Sequence, residues 1–221
     1  MHYRDIKVIG HRGAAGMAIE NSKDAFDIAV ELGLEWVETD IRFTNDNVPV
    51  LCHDAYFKDK LISEITFDEL SSLSRNSIYD LKSFIYEYSD KLNFNFDVKD
   101  CESFPSLIKI IQDCNIGDKV IISSFNHKSL LNAKNIYSDL RYAPLIASRS
   151  VSLKHFLEPF MPLMDLIVMD CDFCDTELIH EADALGFEVY LYNVNTPAQA
   201  DLFIPGVKGI IVNKPKLFSI N

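Results

Sequence analysis

What most restricts the fold of this 221-residue chain is an alternation: eight short runs rich in β-branched and aromatic residues, separated by stretches with helical apolar spacing. The runs are Lys7 to His11, Glu35 to Ile41, Asn95 to Val98, Lys119 to Ser123, Tyr142 to Ile146, Leu166 to Met169, Glu188 to Tyr192 and Gly209 to Val212. Between them lie amphipathic stretches such as Ser22 to Leu32, with Ala25, Phe26, Ala29 and Val30 on one face, and Phe104 to Gln112, with Leu107, Ile108, Ile110 and Ile111. Asn21 is placed to cap the first of these and Gly33 to stop it, and a short last helix is expected from Lys216 onward. Strands alternating with helices build a parallel sheet with helical crossovers. Eight such units in this length suit a closed barrel, although an open doubly wound sheet has the same periodicity.

One segment breaks the rhythm. Asn45 to Asp90 holds a short apolar run, Val48 to Cys52, and two helix-like pieces, Phe67 to Leu73 and Leu81 to Tyr88, and reads as an insertion after the second strand. In barrels the loops after strands carry the chemistry, so substrate selectivity is expected there. With 48% apolar and 24% charged residues the whole chain, 1–221, reads as one globular domain.

A net charge of -12 argues against nucleic acid or anionic lipid as a partner, because both are held by clustered Lys and Arg. No apolar run reaches membrane-span length and the first ten residues do not read as a secretory leader, so the expectation is a cytoplasmic protein without stable membrane insertion. Five cysteines, an odd number in a chain this long, imply reduced thiols; the CxxC spacing of Cys171 and Cys174 lacks the second pair a zinc site would want. Nothing in the sequence sets an oligomeric state.

The chemistry-bearing residues stand at strand ends inside apolar runs. The first strand ends in His11-Arg12-Gly13; the second carries Glu38 and Asp40 two apart and so on one face; the third carries Asp97 and Lys99, again on one face. Turned inward at the mouth of a barrel, such carboxylates repel unless neutralised, and oxygen-only ligands favour Mg²⁺ or Ca²⁺, with Mn²⁺ also compatible. Solvated rim charges paired with Arg42 or Lys99 are the plainer alternative. His11 and His53 both flank this cluster, and imidazole both takes and gives a proton near neutral pH. His2, His127, His155 and His180 have no such company and read as surface or capping residues.

The runs HRG, EN, AFDIAVELG and ETDIRFTNDNVPVLCHD, followed by FDVKD, ISSFN, LYNVN and GIIVNKP, resemble the glycerophosphodiester phosphodiesterase family from the first strand to the eighth. The HRG to HD stretch is the specific part. The resemblance implies a (β/α)8 TIM barrel that hydrolyses glycerophosphodiesters, small-molecule substrates of lipid and glycerol metabolism, to glycerol 3-phosphate and an alcohol. It implies catalysis by His11 and His53, one divalent cation on Glu38, Asp40 and Asp97, and phosphate contacts from Arg12 and Lys99. Tyr192 falls where the family has a tryptophan lining the glycerol pocket.

The chain departs from the family pattern at three places. Asp97 stands where Glu is more common and is shorter by roughly 1.5 Å, which implies a shifted or weaker-held ion. Val212-Asn213 replaces Thr-Asp, removing an acid expected to support the barrel floor or the surroundings of the site. Ala55-Tyr56-Phe57-Lys58 replaces the usual Arg-Thr after His53-Asp54, which leaves the alcohol headgroup open. Two alternatives share the residue set: a lysophospholipase D or phospholipase D-like phosphotransferase, favoured by an exposed apolar loop at Tyr56-Phe57 or Phe156 to Met161, and a phosphodiester-binding barrel that has lost turnover.

Overall fold

The computed structural model describes residues 6–75, 77–100, 104–203 and 206–218. In chain order the elements are β1 (Lys7–Gly10), α1 (Lys23–Glu31), β2 (Trp36–Phe43), β3 (Pro49–Leu51), β4 (Tyr56–Phe57), β5 (Lys60–Leu61), α2 (Phe67–Ser74), α3 (Leu81–Tyr88), β6 (Asn93–Val98), α4 (Phe104–Asp113), β7 (Val120–Ser124), α5 (His127–Ile136), β8 (Arg141–Ile146), α6 (Leu153–Leu157), β9 (Leu166–Asp170), α7 (Thr176–Ala184), β10 (Glu188–Tyr192), α8 (Pro197–Phe203) and β11 (Gly209–Val212).

Eight parallel strands run in the order β1-β11-β10-β9-β8-β7-β6-β2, and β2 pairs back onto β1 through Ile9 beside Trp36 and Gly10 beside Val37. That last pairing closes the sheet into a (β/α)8 barrel and rules out the open alternative. Alternate residues divide between two cores. Ile9, Ile121, Leu145, Leu166, Val168, Tyr190 and Ile211 pack together inside the barrel. Val8, Val37, Phe94, Phe96, Ile122 and Leu191 pack outward against the helices. Fully burying one such aliphatic or aromatic side chain contributes about 1.5–3 kcal/mol, which is why these runs hold the strands in register.

The insertion is a small unit with its own apolar centre. Val50, Ile62, Ile65 and Leu70 are buried together, with Phe57, Phe67 and Leu73 packed on them. β3 returns antiparallel along β2, Ile41 facing Leu51, and the Cys52 N–H donates to the Asp40 carbonyl at 3.1 Å. This return carries His53 back to the barrel mouth. α2 starts in a reciprocal cap between Thr66 and Glu69.

Several local expectations need correction. The cap of α1 is Ser22, whose Oγ accepts from the Ala25 N–H; Asn21 has a left-handed φ of 55°, whereas a capping residue is extended. The last helix is a 3-10 turn over Pro215–Phe218, and residues 219–221 lie outside the described ones. His127 is half-buried rather than superficial: its ring lies against Phe156 and Phe160, and its Nε2 meets the Leu145 carbonyl at 2.7 Å. In the Phe156 to Met161 segment only Met161 is an exposed large apolar side chain, since Leu157 and Phe160 are buried and Phe156 packs against the core. His155 is exposed and meets the Oγ of Ser152, the cap of α6, at 3.0 Å; His180 is exposed; His2 and Cys101 lie outside the described residues. No helix among the described residues is long and apolar enough to cross a membrane.

Candidate active site

The C-terminal ends of the parallel strands surround a cavity of about 300 Å³. It brings together all eight residues singled out in the sequence: His11, Arg12, Glu38, Asp40, His53, Asp97, Lys99 and Tyr192. β2 and β6 run in register with Asp40 beside Asp97, so three carboxylates from two strands share one wall. Glu38, Asp40 and Asp97 are buried, and each offers an oxygen within 4.8 Å of the others.

Two cations lie against them. Lys99 Nζ is 2.9 Å from Asp40 Oδ1 and also pairs with Asp97. Arg12 Nε is 3.0 Å from Asp40 Oδ2, although not aligned as a hydrogen bond, and its Nη1 reaches Glu20 at 2.6 Å. Asp40 is held below the usual carboxylate range because these two cations outweigh its burial. Glu38 is pushed well up by burial and then by the neighbouring charges of Asp40 and Asp97. Burial likewise pushes Asp97 up to about 6.

These residues fit a divalent cation. Once all three are ionised, the carboxylates outnumber the one guanidinium and one ammonium, and Asp97 Oδ1 is buried with no hydrogen-bond partner, as a waiting ligand atom would be. Adding a divalent ion turns the wall net positive by one, the complement of a phosphodiester monoanion. Arg42, the other candidate partner for these acids, is engaged elsewhere: it bonds Asp100 and the His53 carbonyl.

The loop after β1 is shaped around this wall. Arg12 and Gly13 both have left-handed backbone, φ 49° and 83°, and a side chain at Gly13 would press on the Ala25 backbone at 2.8 Å. The turn points the Arg12 N–H at Glu38 Oε2, 3.1 Å away.

The two histidines differ in setting. The His11 side chain is 17% exposed and that of His53 is 39% exposed. His11 Nδ1 lies 2.6 Å from Asn213 Oδ1, and the Asn213 amide is oriented by donating its Nδ2 to Asn195 Oδ1 at 3.1 Å. The neutral ring therefore carries its hydrogen on Nδ1 and presents an unprotonated Nε2, 3.7 Å from Glu38. Burial, then the Arg12 charge, lowers the His11 pKa. His53 Nδ1 faces Asp54 at 2.9 Å.

Residues beyond those eight complete the site. Asn213 stands at the mouth, not on the barrel floor, and supports His11. Asn21 accepts from Thr39 Oγ1 at 2.7 Å and donates to Asp40 Oδ2 at 3.1 Å, fixing that carboxylate. Ser123, in register beside Asp97 on β7, and Phe125 continue the same wall, while Asp170 and Asn193 line the far side. Cys171 and Cys174 are free thiols raised by burial to about 12 and 11.

The sequence profile of the glycerophosphoryl diester phosphodiesterase family matches residues 11–217. The chain belongs to that family. Membership makes it an enzyme of the phosphoric diester hydrolase class. Within the family, a glycerophosphodiester phosphodiesterase from Caldanaerobacter subterraneus subsp. tengcongensis is 27% identical over 95% of this chain and 94% of its own length. An uncharacterized protein of Mycoplasma genitalium is 33% identical over 59% of this chain and 62% of its own. Among solved structures, an Oleispira antarctica phosphodiesterase in complex with the product sn-glycerol-3-phosphate superposes with a TM-score of 0.86, at 23% identity over 96% of this chain and 94% of that one. At that identity the likeness speaks for the barrel.

The carboxylate wall leads to a stability test. Asp97 has a folded pKa near 6 against about 3.9 when unfolded, so protons stabilise the folded chain at low pH and that stabilisation is lost as pH climbs between the two values. Glu38 counts in the same direction, and Asp40 in the opposite one but only below its ordinary value. A divalent ion has to displace those protons. The rise in melting temperature on adding Mg²⁺ or Ca²⁺ is therefore expected to be near zero around pH 4.5 and largest above about pH 6.5. A rise independent of pH in scanning fluorimetry would put the ion at some other site.

Proposed function

We propose that the chain hydrolyses glycerophosphodiesters to glycerol 3-phosphate and an alcohol, with His11 and His53 as the proton carriers and one divalent cation on Glu38, Asp40 and Asp97. The observation that carries this reading is the convergence, in one cavity, of a three-carboxylate wall, two cations and two histidines. The product held by the Oleispira antarctica relative supports the same reaction here. When bound, the cation would supply charge neutralisation for the diester's non-bridging oxygens.

Arg12 and Lys99, anchored over Asp40 from two sides, hold those oxygens and fix the phosphorus for in-line displacement. His11, with Nδ1–H committed to Asn213, has its Nε2 lone pair available and acts as the base. The proton it takes comes from the glycerol hydroxyl next to the phosphoester, which attacks phosphorus as an intramolecular nucleophile of high effective concentration. His53, at the more exposed edge where the alcohol departs, gives the proton to the leaving oxygen. Water then opens the cyclic phosphate with the two roles exchanged.

The test is a phosphorus NMR time course on glycerophosphoethanolamine, glycerophosphocholine, glycerophosphoglycerol and lysophosphatidylcholine, each with Mg²⁺, Mn²⁺ or Ca²⁺. Glycerol 3-phosphate is the expected product of the three glycerophosphodiesters, whereas turnover of lysophosphatidylcholine to lysophosphatidate would favour the lysophospholipase D alternative. Equal rates for a diester methylated at the neighbouring hydroxyl would show that water attacks first. A cyclic product that is never opened would assign the protein to the phosphotransferases.

Asn213 gives a sharper expectation. Asn213→Ala removes the acceptor that selects the His11 tautomer and is expected to lower kcat by about 10-fold to 10²-fold at little cost in stability, while Asn213→Asp keeps the acceptor and most of the rate. Equal rates for Asn213→Ala and wild type would show that the His11 ring is oriented without it.

A further inference from the structure

Across the cavity from the metal wall stands a carboxylate that the proposed reaction does not use. Asp170 ends β9, which lies four places from β2 around the eight-stranded barrel, so its side chain faces Glu38 and Asp40 from the opposite side of the mouth. It is 8% exposed and lines the cavity. Its Oδ2 accepts from Asn193 Nδ2 and its Oδ1 from the Asp172 N–H, both at 2.9 Å. With the Tyr192 hydroxyl also directed at it, the carboxylate still keeps an unused acceptor position.

The neighbouring residues keep this group in place. Tyr192 sits in register beside Asp170 on β10. Asn193 follows it with a left-handed φ of 60°, a backbone state that aims its amide back at Asp170 instead of continuing the strand. Both line the same cavity.

We propose that Asp170, oriented by Asn193 and flanked by Tyr192, is the specificity residue that accepts hydrogen bonds from the free terminal hydroxyl of the substrate's glycerol. The inference rests on the glycerophosphodiesterase reading and deepens it. A diester placed with its phosphate on the carboxylate wall must extend across the mouth, and the fixed negative charge of Asp170 repels phosphate and attracts a hydroxyl donor, which sets the direction in which the substrate lies. An ammonium headgroup is a poorer fit. Its usual aromatic cage needs free ring faces, whereas Lys99 already lies over the Phe125 ring at 5.8 Å, and Phe125 meets Tyr192 at 82°, with centroids 6.2 Å apart. Buried hydrogen-bonding groups of this kind discriminate strongly against an analogue lacking the hydroxyl, because the group is then left unpaired.

The experiment compares two diesters with the same ethanolamine leaving group, one built on glycerol and one on its terminal deoxy analogue, propane-1,2-diol. Wild type is expected to prefer the glycerol diester by about 10² or more in kcat/KM. Asp170→Asn and Asp170→Ala are expected to bring that ratio close to one by slowing the glycerol diester alone. The asparagine keeps the acceptor for the Asp172 N–H, so it tests the chemistry if the alanine variant proves unstable. A methanol leaving group in place of ethanolamine is the third arm. If the Asp170 variants slow only ethanolamine diesters, Asp170 reads the headgroup and the inference is overturned. It is equally overturned if both diesters slow together with the ratio intact. A wild-type enzyme that hydrolyses neither diester overturns the underlying reading as well, whereas turnover with no preference overturns this inference alone.

Discussion

Exhaustive chelation is expected to abolish turnover, and a single divalent cation to restore it. Glu38, Asp40 and Asp97 are buried with ligand oxygens within 4.8 Å of one another, and the two cations beside them leave the wall net negative. A diester anion brought to that wall is repelled. Neutralisation by a bound ion contributes several kcal/mol to the transition state, and each 1.36 kcal/mol is tenfold in rate, so the loss is on the order of 10³ or more. Asp40→Asn is expected to behave in the same way with metal present, because Asp40 is the carboxylate that Arg12, Lys99 and Asn21 all hold. Asp97→Glu is expected to keep or tighten metal binding, since it lengthens the arm carrying the unpartnered Oδ1. Full activity after dialysis against chelator would remove the metal from the mechanism; loss of binding in Asp97→Glu would show that this ligand is misassigned.

Replacing either histidine is expected to cost about 10² to 10⁴ in kcat, the usual worth of a positioned acid or base, with the fold intact. His11→Ala removes a ring held at 2.6 Å by Asn213, and His53→Ala one held at 2.9 Å by Asp54. Neither ring belongs to an apolar core, so melting temperatures should change little. An activated aryl leaving group separates the roles: it needs no proton, and should rescue His53→Ala in large part while leaving His11→Ala slow. Rescue of His11→Ala instead would exchange the two assignments. Near wild-type turnover of a poor leaving group by either variant would make that histidine structural.

The strands were legible because their apolar runs are continuous and local. Glu188–Tyr192 and Gly209–Val212 fall where the sequence places them, and Leu81–Tyr88 likewise reads directly as a helix. Closure was legible only through the family resemblance. It depends on Ile9 meeting Trp36 and on β1 meeting β11, and no local spacing separates that from an open sheet. The same distinction divides the site. Glu38 and Asp40 could be placed together because a strand puts alternate residues on one face. The partners of Asn21, Asn213 and Asp170 could not be named, because each is met only after the barrel brings distant segments together: Asn213 is 202 positions from His11. Asn21 was misread for a local reason. An asparagine before a helix looks like a cap, but its left-handed backbone leaves that task to Ser22 and frees its amide for Asp40.

The small apolar centre of the insertion gives the two histidines different mechanical standing. His11 is tied to the barrel itself, its N–H donating to the Val212 carbonyl at 2.9 Å, whereas His53 rides on an excursion that packs around Val50, Ile62 and Leu70. Of the two proposed proton carriers, one is thus built into the frame and the other is mounted on a separately packed unit. Changes within that unit would reshape the side of the cavity by which the proposed leaving alcohol departs, without disturbing the carboxylates or His11.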